Sequence, residues 1–265
     1  MNDSPVPAVE VLSANKTYSN GTQALLPLDL RIEEGEFVTL LGPSGCGKST
    51  LLKMVAGLLD PTDGRLLLWR KPVQQLAEVG KKMSFVFQSP TLMPWASVEK
   101  NVRLPLDLAG IDPQTANEKV KEVLALVGLS KFATSLPRAL SGGMQMRVSI
   151  ARGLVTDPDL LLMDEPFGAL DEITRHRLDA ELLDLWQKKK LTVIFVTHSI
   201  HEAVYLSNRV VMMAARPGRI VEEFQIPEPY PRHADFMVTT GFSQHAKQLQ
   251  DSLMRASAGQ EEHFS

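Results

Sequence analysis

The sequence predicts an α/β fold: a mostly parallel sheet core, an antiparallel β-subdomain at the N-terminus, and a helical subdomain inserted between strands of the core. Three observations carry this. Apolar runs at 37–41, 160–164 and 192–197 read as strands covered on both faces. The alternation of strand and helix patterns implies βαβ units with right-handed crossovers. From Ser89 to about Thr156 helical spacing takes over and no convincing strand interrupts it.

Taken in order, residues 8–12 read as a short strand and 25–32 as a second, with Glu34-Gly35 as the turn into the run 37–41. A helix-like run follows at 51–56, then a turn cluster at 58–64 and strands at 65–69 and 83–87. In the helical segment, Val120, Val123, Leu124 and Val127 form one apolar stripe, and Met144, Val148, Ala151 and Val155 another. Leu178, Leu182 and Leu185 give a crossover helix its buried face. Residues 209–213 and 219–224 read as closing strands. Prolines 227, 229 and 231 then mark a loop, a short helix is expected over 244–255, and the last ten residues read as disordered. The organisation is one unit over 1–226, with the helical insertion at about 89–157, and a tail over 227–265.

The segment 42–50, Gly-Pro-Ser-Gly-Cys-Gly-Lys-Ser-Thr, lies between a strand and a helix, the context a phosphate-binding loop requires. Gly42, Gly45 and Gly47 let successive N–H groups curl around an anion, with Pro43, Ser44 and Cys46 completing the loop and Thr50 following it into the helix. The helix adds its unpaired N-terminal donors. Lys48 is placed to reach the β- and γ-phosphates, and the Ser49 hydroxyl to ligate Mg²⁺. Cys46 is the single cysteine, which excludes an internal disulfide framework. A helix N-terminus lowers a thiol pKa, but the reading favoured here is a small residue that fits the loop.

Composition is that of an ordinary soluble globular chain, 44% hydrophobic and 22% charged over 265 residues, long enough for a substantial core. A net charge of −3 argues against nucleic-acid binding through bulk basicity. No apolar run is long enough to span a bilayer, and the N-terminus has neither the basic nor the apolar region of a signal peptide.

Further chemistry collects at strand ends, where parallel sheets gather ligands. Asp164 ends an apolar strand and is placed to hold Mg²⁺, and Glu165 follows as a candidate base for an attacking water. Gln88 and His198 end two other strands on the same rim. Ser141-Gly142-Gly143, opening a helix, is a second anion site whose plainer reading is an N-cap with flexible glycines. The loop 90–95, Pro-Thr-Leu-Met-Pro-Trp, is apolar and irregular, suited either to the core or to partner docking.

Together these residues resemble the ATP-binding subunits of ABC transporters, over roughly residues 8–225. The resemblance implies a P-loop NTPase (RecA-like) core. Tyr18 stands as the adenine-stacking aromatic, 42–50 as Walker A, Gln88 as the Q-loop glutamine and also a Mg²⁺ ligand, and 140–143 as the signature. Residues 160–164 with Glu165 stand as Walker B and catalytic glutamate, Ala169-Leu170-Asp171 as the D-loop, and His198 as the switch histidine. Met144 occupies the position where the family commonly has glutamine. The local wording is similar to the nitrate/sulfonate/taurine-type importer branch.

The resemblance implies ATP and Mg²⁺ as ligands and a head-to-tail homodimer, with each ATP between Lys48's loop and Ser141, Gly142 and Gly143 of the other copy. It implies permease subunits that receive the 90–95 loop, indirectly an external solute-binding protein, no nucleic acid, and a peripheral location on the cytoplasmic face of the inner membrane. Two alternatives are weaker. A soluble ABC-type ATPase acting on nucleic acid or ribosomes usually carries two nucleotide domains, a long coiled coil or a zinc insertion, and a P-loop kinase or GTPase leaves Ser141-Gly142-Gly143 and His198 without roles.

Overall fold

A six-stranded sheet in the order β5-β6-β7-β3-β8-β9 runs through the centre of the molecule. The computed structural model describes residues 6–168 and 170–258. Residues 1–5, Ala169 of the Ala169-Leu170-Asp171 stretch, and 259–265 of the tail lie outside the described residues. Strands β3 (Phe37–Leu41), β5 (Met83–Val86), β6 (Leu160–Asp164), β7 (Thr192–Thr197) and β8 (Arg209–Ala214) pair in parallel. β9 (Arg219–Gln225) closes the edge antiparallel to β8. Against this sheet lies a three-stranded antiparallel sheet, β2 (Gln23–Ile32), β1 (Val9–Thr17) and β4 (Asp63–Leu68), in the order β2-β1-β4.

The apolar runs behave as two-faced strands must. In β3, Phe37 and Leu41 join one core and Val38 and Leu40 the other, while in β6 Leu161 and Met163 oppose Leu160 and Leu162. One core is closed by the helices, the other by the antiparallel sheet and α1 (Lys48–Val55). Burial on both sides explains why no polar residue alternates in these runs.

Between β5 and β6 the chain forms α2 (Val98–Leu108), α3 (Pro113–Leu126) and α4 (Gly142–Leu154). Caps set their starts: Ser97 accepts from the Lys100 amide, Asp112 from Gln114 and Thr115 ahead of Pro113 at the first turn, and Ser141 from Met144. Each such cap stabilises its helix by about 1 kcal/mol. Val120, Val123, Leu124 and Val127 are all buried, as are Val148, Ala151 and Val155, with Met144 packed partly against the same core.

Strand β1 is longer than its sequence pattern, which reads as ending at Leu12. Ser13 has φ 47° at a register break between Val11 and Ala14, and its N–H donates to Asp29 Oδ1 at 2.8 Å. That bulge resets the apolar alternation while pairing continues to Thr17.

The C-terminal part also departs from expectation. Helix α7 (Thr240–Ala258) extends beyond 244–255, so residues 256–258, read as disordered, are helical. Phe242 and Leu249 are buried and Ala246, Leu253 and Ala256 pack partly against the core, a stripe whose docking stabilises the helix. Arg232, buried, anchors the preceding segment. Its guanidinium donates to the carbonyls of Val204, Tyr205 and Ser207 at the end of α6 (Ile200–Leu206), and to those of Ile226 and Glu228.

Candidate active site

The site begins where β3, flanked by β7 and β8, runs out into the glycine loop. Gly47 caps α1 with φ 91°, and a Cβ there would stand 2.4 Å from Leu25 Cδ2. At Gly42 a Cβ would meet the Met213 carbonyl oxygen at 2.3 Å. The loop is therefore pressed between β2 and the end of β8, and only glycine fits at both points. Since α1 starts at Lys48, its first-turn N–H groups have no helical acceptor and face the loop's concavity.

Lys48 is buried, with Nζ donating to the carbonyls of Gly42 at 2.8 Å and Pro43 at 3.0 Å. The ammonium is thus held over the loop, where a phosphate oxygen can replace a carbonyl as its acceptor. Cys46 is fully buried behind the loop, and burial pushes its thiol pKa up against the opposing charge of Lys48. The thiol is a packing group, and the lowered pKa that a helix N-terminus could give is not realised.

Ser49 Oγ donates to Asp164 Oδ1 at 2.7 Å, joining the first turn of α1 to the end of β6. Burial raises the Asp164 carboxyl pKa, opposed first by the Ser49 hydrogen bond and then by the charges of Lys53 and Lys48. A hydroxyl beside a buried carboxylate at the mouth of a phosphate loop is an all-oxygen donor pair of the kind a hard cation such as Mg²⁺ takes. These residues fit the ion.

Glu165 sits at φ 45°, a left-handed conformation uncommon for a side chain of this size, with its N–H donating to the Val196 carbonyl at 3.0 Å. Such conformations cost about 1–3 kcal/mol and recur at functional sites. Its Oε2 accepts from Gln88 Nε2 at 3.3 Å and lies 3.4 Å from His198 Nδ1. Three strand ends, β5, β6 and β7, thus deliver Gln88, Glu165 and His198 to one point.

A cavity of about 510 Å³ opens beside them, lined by Tyr18, Lys48, Ser49, Gln88, Glu165 and Arg216 among others. Tyr18 is half-exposed, with its hydroxyl 3.3 Å from Thr50 Oγ1. Sequence reasoning missed part of this wall: residues 22–24, Arg216 and Gly218 line it too. Gly218 exchanges backbone hydrogen bonds with β2, its N–H donating to Ala24 and its carbonyl accepting from Leu26. The one local signal was Pro217-Gly218, which reads as a turn and nothing more.

Ser141, Gly142, Gly143 and Asp171 do not line this cavity. Ser141 caps α4, with Gly142 and Gly143 in its first turn. Asp171 caps α5 (Glu172–Lys189), accepting from the Thr174 amide at 2.9 Å, and that bond lowers its carboxyl pKa. Met144 packs inward on the helical core, and Gln145 Nε2 instead fastens the turn, donating to the carbonyls of Pro137 and Leu140. In the 90–95 loop the structure leaves Trp95 78% exposed. Asn101 nevertheless fixes the backbone beneath it through Met93, Ala96 and Ser97, and Arg152 holds Pro90 and Thr91.

Comparison with known proteins agrees with this geometry. Residues 25–168 match the family described as ABC transporter. An uncharacterized ABC transporter ATP-binding protein of Methanocaldococcus jannaschii is 52% identical over 80% of this chain and 79% of its own length. The chain belongs to the ABC transporter family. It is an ABC-type ATPase, the ATP-binding kind of subunit. The aliphatic sulfonates import ATP-binding protein SsuB of Bacillus cereus is 45% identical over 84% of this chain and 88% of that protein. Among solved structures, a dimeric ATP-binding cassette described as a post-hydrolysis state bound to ADP and Pi aligns with a TM-score of 0.76. It is 33% identical over 83% of this chain and 100% of that one. CbiO1 of Clostridium perfringens, part of the cbiONQ transporter complex, aligns with a TM-score of 0.74 at 29% identity, over 83% of this chain and 89% of that one. Among the described residues, no helix of this ABC ATPase is long and apolar enough to cross a membrane.

Proposed function

We propose that this chain is the ATP-hydrolysing subunit of an importer for a small organic or inorganic anion-type solute, working as a head-to-tail pair beneath separate permease subunits. The observation that carries the hydrolytic part is Glu165 Oε2 held between Gln88 and His198 at the mouth of the phosphate-loop cavity. Support for the import branch comes from the aliphatic sulfonate import relatives.

In this reading the triphosphate lies along the loop 42–50, its β- and γ-oxygens taken by Lys48 and the first-turn amides of α1. Tyr18 stacks on the base. Ser49 and Asp164, with Gln88, hold Mg²⁺, which supplies charge neutralisation at the phosphates. Glu165 accepts the proton of the attacking water, and His198 holds the γ-phosphate at the moment of transfer. Ser141 and the amides of Gly142 and Gly143 are the donors given to the second copy's nucleotide, and Asp171 meets that copy across the shared face. Closure then follows ATP, because only the triphosphate offers charge to both anion sites at once. Met144 does not alter this, since the donors are a hydroxyl and backbone amides.

Trp95, presented on a fixed backbone, is the anchor offered to the permease on the cytoplasmic face of the membrane, where the protein is peripheral. Selection of the solute belongs to the permease and an external binding protein. The test is recovery of tagged Glu165→Gln protein from detergent-solubilised native membranes in the presence of ATP. A co-purifying multi-span membrane protein is the expected result. Recovery with ribosomes or DNA and no integral membrane partner would overturn the importer reading.

A further inference from the structure

Beneath His198 lies a cluster of charged side chains that takes no part in the chemistry above. Glu202 and Asp179 are both buried, and Arg175, in the first turns of α5, reaches Glu202 and acts on Asp179 through its charge. Arg175 Nη2 donates to the Leu170 carbonyl at 3.0 Å, and its Nε stands 3.6 Å from Glu202 Oε1. The other carboxylate oxygen of Glu202 accepts from the Thr197 hydroxyl. That hydroxyl in turn accepts from the Ser199 amide at 3.0 Å, and Ser199 Oγ caps α6 by accepting from the Glu202 amide at 3.3 Å. A continuous path therefore runs from Leu170, next to Asp171, through Arg175 and Glu202 to Thr197 and Ser199, the two neighbours of His198.

As a source of stability the cluster is a poor arrangement. Two buried carboxyls lie in the field of one guanidinium that pairs with Glu202, and among the described residues neither Asp179 Oδ1 nor Arg175 Nε has a hydrogen-bond partner. Desolvating such groups costs several kcal/mol each, and apolar residues of similar volume usually do as well. Burial, reinforced by the Glu202 charge, pushes the Asp179 carboxyl up to about 8, so at neutral pH the guanidinium serves Glu202. What the cluster does supply is fixed geometry between two loops. The need is plain at His198, whose side chain is 60% exposed and, among the described residues, is met at close range by the Glu165 carboxylate.

We propose that Arg175 and Glu202 are positioning residues that lock the loop carrying Asp171 to the loop carrying His198, so that contact of Asp171 with a second copy sets the aim of His198 at the γ-phosphate. This rests on the role given to His198 under the proposed function. Neither residue touches substrate; each acts through Thr197, Ser199 and Leu170. Loosening the link lets the imidazole drift, and misplacement of a reacting group by about 1 Å lowers a rate by up to about 100-fold.

The test measures ATP turnover and thermal unfolding of the full chain as wild type, Glu202→Gln, His198→Ala and the double variant. Glu202→Gln, assayed at a temperature where the variant is fully folded, is expected to lower kcat about tenfold with KM for ATP changed less than about twofold. It is also expected to lower the melting temperature, because one partner of a buried pair is lost. In the His198→Ala background the same substitution is expected to change kcat by less than about twofold, since the residue it positions is gone. Arg175→Lys, which keeps the charge but cannot reach Glu202 and the Leu170 carbonyl together, is expected to repeat that pattern and serves if Glu202→Gln does not fold. An equal loss in both backgrounds would overturn the proposal while leaving His198 in place. Wild-type kcat in His198→Ala would instead remove the role of His198, and the link's purpose with it.

Discussion

Ser49 Oγ and Asp164 Oδ1 stand 2.7 Å apart, though 115 positions separate them in the chain. The bond fastens the first turn after the phosphate loop to the end of the strand that precedes Glu165. The phosphate loop and the proposed base are thereby built on one junction between α1 and β6. Asp164→Ala is expected to lower Mg²⁺-dependent ATP turnover by at least about 100-fold, since both the proposed cation ligand and this junction are lost. Steady-state hydrolysis over a Mg²⁺ titration checks it.

Glu165→Gln keeps the shape of the side chain and removes its basicity. Turnover is expected to fall by about 10²–10⁴, the range of a positioned general base, with nucleotide affinity retained. Single-turnover hydrolysis beside equilibrium ATP binding separates the two effects.

Gly218 tests the wall that local sequence did not reveal. A Cβ there would stand 2.5 Å from the Cys46 carbonyl oxygen and 2.6 Å from that of Ala24. Gly218→Ala is expected to destabilise the fold by about 1–3 kcal/mol and to weaken ATP binding by displacing the phosphate loop. Calorimetry with nucleotide titration measures both.

The buried carboxyl of Asp179 gives stability a pH dependence. The folded chain holds this proton up to about pH 8, whereas an ordinary aspartate releases it near 3.8. Between those values the folded state binds more protons than the unfolded one, so stability falls as pH rises through this window, by up to about 1.4 kcal/mol per unit. Glu202, also raised by burial, adds in the same direction, while Arg175 opposes both. Asp179→Asn is expected to flatten the slope of melting temperature against pH over 5–8. An unchanged slope would place the titrating group elsewhere.

Cys46 is expected to resist thiol alkylation in the folded protein, because it is fully buried and burial raises its pKa. Labelling by iodoacetamide should appear only on unfolding, which mass spectrometry across a denaturant series detects.

Much of this was legible in the sequence for a physical reason. Strands β3, β6 and β7 are buried on both faces, so their apolar runs needed no partner to be read, and the phosphate loop is contiguous. Gln88, Asp164 and His198 read as one rim because each follows the carboxyl end of a strand in a parallel sheet. What escaped depends on contacts between distant segments. Arg216 and Gly218 reach the cavity only because the β8–β9 turn folds against β2. The bulge at Ser13 hid half of β1 by breaking its alternation. The docking of α7 and the anchoring role of Arg232 follow from carbonyls and apolar positions that no local pattern announces.

The central claim is that ATP is shared between the Lys48 loop of one copy and Ser141, Gly142 and Gly143 of another. Sedimentation of Glu165→Gln protein with and without ATP tests it most directly, with Ser141→Arg introduced in the same background. A doubling of mass that requires ATP and disappears with Ser141→Arg is the expected result. A protein that remains monomeric at saturating ATP, or an ATP-dependent dimer indifferent to Ser141→Arg, would contradict it.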